Sequence, residues 1–357
     1  MKVFELLVLQ CRAGFEKETA GEIVDLAATV GVYGYCKLEE NSGYVRFFTP
    51  NPQDAIKLLE TLDFYQCIFI RQWMAAQAVC ELTNDDRISQ IEAHMGDDYP
   101  VCIDVGVEHP DTTEGRELAT FCKKFGSALA QHFRKKGLLQ KRNKRKGWRL
   151  MLFVLSGQEL YIGLTPAHNS SPVPQGIMRL KFPKDAPSRS TLKLEEAWHW
   201  FIPKSEWDER IPMSGTAVDL GAAPGGWTWQ LVRRSMFVTA VDNGPMNDDL
   251  MASGQVNHLR EDAYTFLPDK QVDMMVCDVV DKPMRTSELV VEWVEHRAFK
   301  EAIFNLKLPM KQRYQEVVRC RDYMCQAFEE MGVKYELQIK HLYHDREEVT
   351  CLLRCLN

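Results

Sequence analysis

The sequence predicts an α/β protein in which a doubly wound parallel sheet forms the C-terminal half and an α+β region precedes it. Three features of the 357 residues support this prediction. Beyond residue 215, short apolar runs alternate regularly with helical periodicity, as they do in parallel sheets. Before residue 166, strand-like and amphipathic segments follow each other from a β-α-β-β opening. Residues 166–187 contain five prolines and are typical of an extended connector, so we expect domains at residues 1–165 and 188–357.

The N-terminal half contains many short predicted elements. Strands are predicted at residues 4–11, 36–38, 44–48, 64–78, 101–107, 150–155 and 160–164. Helices are predicted at residues 14–30, 52–62 and 85–95, and again from residue 118. Two turn sequences, Asn41-Ser42-Gly43 and Ser156-Gly157, separate paired strands and predict hairpins. We expect two small layered α+β modules in this half.

In the C-terminal half, predicted strands and helices alternate as they do in a nucleotide-binding sheet. Strands are predicted at residues 216–220, 237–241, 256–260, 272–276 and 302–308, with a closing hairpin at 335–343 and 349–356. Helices are predicted at residues 228–234, 287–299 and 311–331. Four acids fall at or near the ends of consecutive strands: Asp219, Asp242, Asp262 and Asp278. Because ligands of such sheets bind beyond the carboxyl ends of the strands, these acids predict a binding site.

Composition excludes several classes of protein. Hydrophobic residues make up 45% and charged residues 26% of the chain, which is ordinary for a globular protein and excludes disorder or a coiled coil. No apolar run approaches the roughly 18 residues of a membrane span, and the N-terminal residues read as a strand and not as a signal peptide. Eleven cysteines without a Cys-x-x-Cys pair argue against a disulfide framework and a zinc ribbon. We therefore expect a cytoplasmic protein without a metal.

Positive charge is concentrated in one part of this acidic chain. The net charge is −6, yet residues 123–149 carry eleven Lys or Arg and no acid, which leaves −17 for the remainder. Such a window attracts phosphates, so we expect it to bind RNA; a solubilising loop is the alternative. The expected RNA-binding residues are Lys123, Lys124, Arg134, Lys135, Lys136, Lys141, Arg142, Lys144, Arg145 and Lys146.

A glycine-rich loop between the first strand and first helix of the sheet predicts a cofactor site. Its spacing, Gly-x-x-x-Gly-Gly with an internal proline, differs from both the dinucleotide fingerprint and the P-loop. The spacing suits S-adenosyl-L-methionine, and an acid after the second strand can accept hydrogen bonds from the ribose hydroxyls. The expected cofactor-binding residues are Gly221, Ala223, Pro224, Gly225, Gly226, Asp242, Asp262 and Asp278.

The loop at residues 219–228, together with the segment Ser190-Thr191-Leu192-Lys193-Leu194-Glu195-Glu196, resembles the FtsJ-like family of ribose 2′-O-methyltransferases. The layout of the whole chain is similar to family members that carry a ferredoxin-like piece and a THUMP domain before the methyltransferase. The resemblance implies methylation of a cytidine in 23S rRNA, naked or partly assembled, and adds Ser190 to the cofactor site. It also implies a catalytic Lys-Asp-Lys-Glu set at Lys193, Asp278, Lys307 and Glu348, with Glu347 as the alternative for the last position.

The residue types of this set suit removal of a proton from a ribose hydroxyl. That hydroxyl is too weakly acidic to ionise at neutral pH, so a base must take its proton as the methyl group transfers. Lys307 lies within an apolar run, where a charge is costly without a purpose. We expect Lys307 to be the base, with Lys193 and Asp278 orienting the hydroxyl.

Three other functions fit the sequence less well. An amino-directed base methyltransferase would carry Asn/Asp-Pro-Pro-aromatic where this chain has Asp278-Val279-Val280. A non-catalytic RNA-binding or ribosome-assembly factor would not need Lys193, Asp278 and Lys307 together. A nicotinamide oxidoreductase is disfavoured by the proline in the glycine-rich loop.

Overall fold

A computed structural model describes residues 4–96, 99–140 and 146–356. The chain divides into two compact units, residues 1–178 and residues 179–357. The boundary falls inside the proline-containing segment 166–187, so that part of this segment belongs to each unit. No helix within the described ranges is long and apolar enough to cross a membrane.

The first unit contains one mixed sheet of eight strands and five helices among its described residues. The strands are β1 (Leu6–Gln10), β2 (Tyr35–Leu38), β3 (Tyr44–Phe48), β4 (Gln72–Ala76), β5 (Cys80–Glu81), β6 (Val105–Glu108), β7 (Trp148–Val154) and β8 (Glu159–Pro166). The helices are α1 (Glu16–Thr29), α2 (Asp54–Thr61), α3 (Arg87–Met95), α4 (Thr113–Glu117) and α5 (Ala119–Lys136). The order in the sheet is β2-β3-β1-β4-β8-β7-β6, and β5 pairs with β8.

This single sheet differs from the expected pair of separate modules. Strand β4 pairs with β1 on one side and with β8 on the other, so strands from both ends of the unit share one ladder. The sequence could not show this pairing because the partners lie about ninety residues apart, and strand periodicity carries no information on partner choice.

The predicted long strand at residues 64–78 is wrong in its first half. Residues Phe64–Gln66 form a 3-10 helix, and only Gln72–Ala76 is a strand. The buried Glu22 carboxylate of α1 accepts hydrogen bonds from the backbone N–H groups of Ile68, Phe69 and Ile70. Because a side chain satisfies these groups, the segment needs no strand partner.

Part of the proline-containing segment packs on the first unit. The Asn169 side chain donates to the carbonyl oxygens of Leu59 at 2.8 Å and Leu62 at 2.7 Å. The indole of Trp73 donates to the Asn169 carbonyl oxygen at 2.7 Å. Asn169 therefore anchors the start of the segment to this unit by specific hydrogen bonds.

The second unit contains a seven-stranded sheet. Its strands are β9 (Thr216–Leu220), β10 (Phe237–Val241), β11 (Val256–Leu259), β12 (Val272–Cys277), β13 (Phe299–Lys307), β14 (Tyr335–Lys340) and β15 (Glu348–Cys355). The order is β11-β10-β9-β12-β13-β15-β14. The first five strands are parallel, and β15 and β14 close the sheet antiparallel, which confirms the predicted fold class.

Six helices accompany this sheet within the described residues. They are α6 (Thr191–Phe201), α7 (Trp207–Arg210), α8 (Gly226–Arg233), α9 (Asp248–Met251), α10 (Pro283–Glu295) and α11 (Arg313–Glu330). Helix α10 lies four residues earlier than predicted because Pro283 suits a first helical turn. Its predicted last residue, Phe299, instead pairs with Val272 as the start of β13.

Helix α6 was not predicted, and it is important because it carries Lys193. It buries Leu194, Ala197, Trp198 and Phe201 in a core cluster that includes Met274 and Ile303 of the sheet. Apolar contacts of this kind fix a helix that follows a proline-containing segment.

Candidate active site

The loop between β9 and α8 contains glycines that its backbone requires. Gly221 has φ of 75° and Gly225 has φ of 114°, a region that residues with a side chain rarely adopt. A Cβ atom at Gly226 would lie 2.1 Å from the Ser190 hydroxyl oxygen. The structure therefore brings Ser190 against the glycine-rich loop, where a side chain at residue 226 would not fit.

Asp242 follows β10 and organises this loop. Its carboxylate accepts hydrogen bonds from the backbone N–H of Ala223 at 3.0 Å and of Gly244 at 2.7 Å. Each oxygen retains a second lone pair, so Asp242 can still accept from a ligand. Asp262, beyond the end of β11, is exposed and accepts from the Tyr264 N–H at 2.9 Å. These positions agree with a cofactor lying across the ends of β9, β10 and β11.

Asp219 is buried inside β9 beneath the loop. It accepts a hydrogen bond from the Thr228 hydroxyl of α8 at 2.6 Å. Burial raises the pKa of Asp219 to about 7, although the Thr228 hydrogen bond acts in the opposite direction. Asp219, one of the four acids that the sequence places near strand ends, therefore joins the first strand to the first helix.

The four residues expected to be catalytic meet at the ends of β12 and β13. Lys193 Nζ lies 3.1 Å from Asp278 Oδ2 and 2.7 Å from Glu348 Oε1. Lys307 Nζ lies 2.5 Å from Asp278 Oδ1 and 3.7 Å from Glu348 Oε2. Two ammonium groups thus alternate with two carboxylates, and all four side chains are mostly buried. We call this arrangement the tetrad.

The charges of the tetrad stabilise each other. Burial alone would favour neutral Asp278, but Lys193 and Lys307 outweigh it and lower the pKa of that carboxyl group. Burial likewise disfavours the charge on Lys193, yet Asp278 and Glu348 outweigh it and raise the pKa of this lysine. Lys193 therefore holds its proton, and Asp278 is a carboxylate that can accept hydrogen bonds.

The alternative acid, Glu347, points elsewhere. Its carboxylate lies 2.7 Å from Arg313, and its side chain is 60% exposed. Glu348 begins β15 and is the residue whose side chain faces the two lysines. Because successive side chains along an extended strand point to opposite sides, the adjacent acids Glu347 and Glu348 face in different directions.

Asn305 belongs to the site but was not expected from the sequence. Asn305 is buried in β13 and donates to Asp278 Oδ1 at 2.8 Å. A signal was present, because residues two apart in a strand share a face, and Asn305 is two residues before Lys307. A polar residue at that spacing inside an apolar strand indicates a shared site.

The basic window lies in the first unit, and part of it is described. Six of its expected RNA-binding residues are exposed: Lys123, Lys124, Arg134, Lys135, Lys136 and Lys146. Lys136 Nζ lies 2.9 Å from Glu92 Oε1 of α3. This carboxylate partly neutralises the positive charge that Lys136 would present to a ligand. Four others fall outside the described residues: Lys141, Arg142, Lys144 and Arg145.

The donor types around the loop fit S-adenosyl-L-methionine. The Ser190 hydroxyl lies against the loop at Gly226, and the Asp242 carboxylate can accept from ribose hydroxyls. In the described parts of the chain, no group of three or more His, Cys, Asp or Glu is placed to hold a metal ion. Together, the parallel sheet, the loop and the tetrad define a Rossmann-like methyltransferase.

Comparison with known proteins identifies the family. The chain matches the RlmM ferredoxin-like domain at residues 4–74, the N-terminal domain of ribosomal RNA large subunit methyltransferase M at 86–166, and FtsJ-like methyltransferase at 186–343. Ribosomal RNA large subunit methyltransferase M of Stutzerimonas stutzeri is 50% identical over 350 residues, 98% of this chain and 99% of the relative. That of Cellvibrio japonicus is 50% identical over 354 residues, 98% and 99% of the two chains.

The chain therefore belongs to the ribosomal RNA large subunit methyltransferase M family, whose catalytic domain is FtsJ-like. It is a methyltransferase that uses S-adenosyl-L-methionine. Among solved structures, TrmN from Thermus thermophilus is similar over 98% of this chain and 99% of its own, at 13% identity and a TM-score of 0.34. The two N-terminal family domains both map onto the single eight-stranded sheet.

Proposed function

We propose that this protein methylates the ribose 2′-hydroxyl of a cytidine in 23S rRNA, in the cytoplasm, on naked or partly assembled large-subunit RNA. The observation that carries the proposal is the tetrad beside the cofactor loop. Two lysines and two carboxylates at the ends of β12 and β13 are suited to hold and deprotonate a hydroxyl group. The relatives' names support ribosomal RNA as the substrate.

Lys307 is the proposed base. Lys193 keeps its proton because two carboxylates raise its pKa, so it orients the hydroxyl oxygen as a hydrogen-bond donor. Asp278 contacts both ammonium groups and fixes their separation. When bound, S-adenosyl-L-methionine supplies an electrophilic methyl group on a positively charged sulfonium. Lys307 Nζ is proposed to accept the proton of the ribose hydroxyl as the methyl group transfers.

Positioning supplies much of the remaining rate. The four side chains lie on a helix packed into the core, on paired strands or, for Asp278, directly after a strand, so they need little rearrangement during the reaction. The exposed cations of α5 are proposed to hold the phosphate backbone of the RNA.

The position of the methyl group tests the proposal directly. Unmodified 23S rRNA is incubated with the protein and S-adenosyl-L-methionine, and the product is cleaved with alkali. A 2′-O-methyl group blocks cleavage at one phosphodiester, so we expect one protected cytidine. Lys307→Ala should give no protected site. Methyl groups recovered on free bases after acid hydrolysis would show a base methyltransferase instead.

A further inference from the structure

A buried carboxylate of α6 binds the turn between β14 and β15. Glu196 lies one helical turn after Lys193, and only 2% of its surface is exposed. Its carboxylate accepts hydrogen bonds from the backbone N–H groups of Tyr343 at 2.9 Å and His344 at 2.8 Å. Both residues belong to the turn that leads from the end of β14 to Glu348 at the start of β15.

The same turn is bound to α6 a second time through the tetrad. Lys193 Nζ lies 2.7 Å from Glu348 Oε1, and the backbone N–H of Arg346 donates to that same oxygen at 3.2 Å. Residues three apart on a helix lie on one side of it, so Lys193 and Glu196 both face the turn. The contacts therefore form a closed ring that passes through α6, the turn and Glu348.

Apolar packing alone does not determine the position of α6 to the accuracy that catalysis needs. Leu194 and Ala197 of α6 belong to the same core cluster as Leu342 and Leu352. Such contacts have no preferred direction, whereas hydrogen bonds have a preferred distance and angle. A displacement of about 1 Å in a positioned group can lower a rate about 10²-fold. The two hydrogen bonds of Glu196 thus add the directional restraint that packing lacks.

The two N–H groups of the turn require a carboxylate at residue 196. Oε1 accepts from Tyr343 and Oε2 accepts from His344. Glutamine is similar in size but has one oxygen, and its NH2 group can only donate. Glu196→Gln therefore places a donor against one of the two N–H groups and removes one hydrogen bond without creating a cavity.

We propose that Glu196 is a positioning residue for methyl transfer: it attaches α6 to the turn between β14 and β15 and thereby sets the distance between Lys193 and Glu348. Glu196 acts through Lys193 and not on the reacting atoms. The effect on activity rests on the proposed function of the tetrad, whereas the attachment of α6 to the turn does not.

A double-mutant cycle shows whether Glu196 acts through Lys193. Glu196→Gln should lower kcat about tenfold, with KM for RNA and the dissociation constant for S-adenosyl-L-methionine within about twofold. In the Lys193→Ala background, the same substitution should change kcat by less than about twofold, because the group that it positions is gone. Independent losses that multiply in the double variant would overturn the proposal.

Glu195→Gln is the matched control, since it also removes a carboxylate from α6. Glu195 accepts from Gln230 Nε2 of α8 at 3.1 Å, and a glutamine oxygen can still accept this bond. This variant should keep the wild-type kcat.

Hydrogen exchange followed by mass spectrometry tests the attachment without reference to activity. The amides of Tyr343 and His344 should exchange at least about tenfold faster in Glu196→Gln than in the wild type or in Glu195→Gln. Unchanged exchange or unchanged kcat in Glu196→Gln would overturn the proposal. If Glu196→Gln does not fold, Glu196→Asp replaces it in both measurements, because it keeps two oxygens but withdraws them by one methylene. A fully active Lys193→Ala together with fast exchange in Glu196→Gln would refute the proposed function and leave the attachment standing.

Discussion

Lys307 and Glu348 face each other directly across the antiparallel pair of β13 and β15. Their side chains converge, with Lys307 Nζ 3.7 Å from Glu348 Oε2. The register of this strand pair therefore sets the separation of Lys307 and Glu348, two of the four tetrad residues, and no loop is involved. A site built on strand register in this way holds its geometry without a ligand.

The base assignment predicts a loss of chemistry without a loss of cofactor binding. Lys307→Ala should lower kcat for methyl transfer by about 10²-fold or more, because the hydroxyl loses its proton acceptor. The dissociation constant for S-adenosyl-L-methionine, measured by calorimetry, should stay within about twofold. Lys311→Ala, at an exposed lysine just after the same strand, is the control and should be fully active. A Lys307→Ala enzyme retaining more than about a tenth of the wild-type rate would contradict the assignment.

Sequence and structure agree where a local pattern determines the outcome. The ends of β12 and β13 could be placed from apolar runs, which located Asp278 and Lys307, and the resemblance to FtsJ-like enzymes added Lys193 and Glu348. Their convergence depends on strand order and on α6, a helix held by tertiary contacts. Thr350 reaches Asn305 only because β15 runs antiparallel beside β13, a pairing that no local pattern encodes.

The cofactor assignment predicts that substitutions of Asp242 weaken the binding of S-adenosyl-L-methionine, to a degree that depends on how many acceptors are lost. Asp242→Ala removes the acceptor for the N–H groups of Ala223 and Gly244 together with the expected ribose contact. The dissociation constant for S-adenosyl-L-methionine should rise at least tenfold, as expected for a charged hydrogen bond of roughly 1.5–3 kcal/mol. Asp242→Asn keeps one acceptor and should be intermediate. Asp249→Ala, at an exposed acid of α9, should bind normally; unchanged calorimetric affinity in Asp242→Ala would contradict the placement of the ribose.

The buried Asp219 predicts a pH dependence of stability. Its pKa is about 7 in the folded protein, against an ordinary value of 3.8, so the folded state binds the proton more tightly than the unfolded state. The resulting stabilisation is present below the ordinary value and is lost as the pH rises through about 7. The melting temperature of the wild type should therefore fall relative to that of Asp219→Asn between about pH 5 and pH 8.

Differential scanning fluorimetry across this range provides the comparison. Asp269→Asn, at an exposed acid, should follow the wild type at every pH. Parallel melting curves for wild type and Asp219→Asn would show that residue 219 keeps its ordinary ionisation.

Two exposed apolar side chains beside the tetrad predict a contact with the target base. Val280 is 86% exposed and Met310 is 95% exposed, and they follow the adjacent parallel strands β12 and β13. The double variant Val280→Ser, Met310→Ser should raise KM for RNA about tenfold through lost apolar contact, with kcat little changed. Met213→Ser, 68% exposed and placed before β9, is the control. An unchanged KM in the double variant would exclude the contact.

The basic window predicts that the affinity for RNA depends on salt concentration, because the window binds phosphates. Binding that releases counterions falls with salt at about 0.7–0.9 log units per phosphate contact. Replacing Lys141, Arg142, Lys144 and Arg145 with Gln should therefore flatten the slope by up to about three units and weaken binding to unrelated RNA sequences alike. Fluorescence anisotropy from low to high salt measures the slope.

The variant Lys17→Gln, Lys57→Gln, at exposed lysines outside the window, should keep the wild-type slope. Cofactor affinity should stay the same in both variants, because the cofactor loop lies in the second unit. A wild-type slope in the fourfold variant would assign the window to solubility, and RNA binding would then have to be sought in residues 166–187.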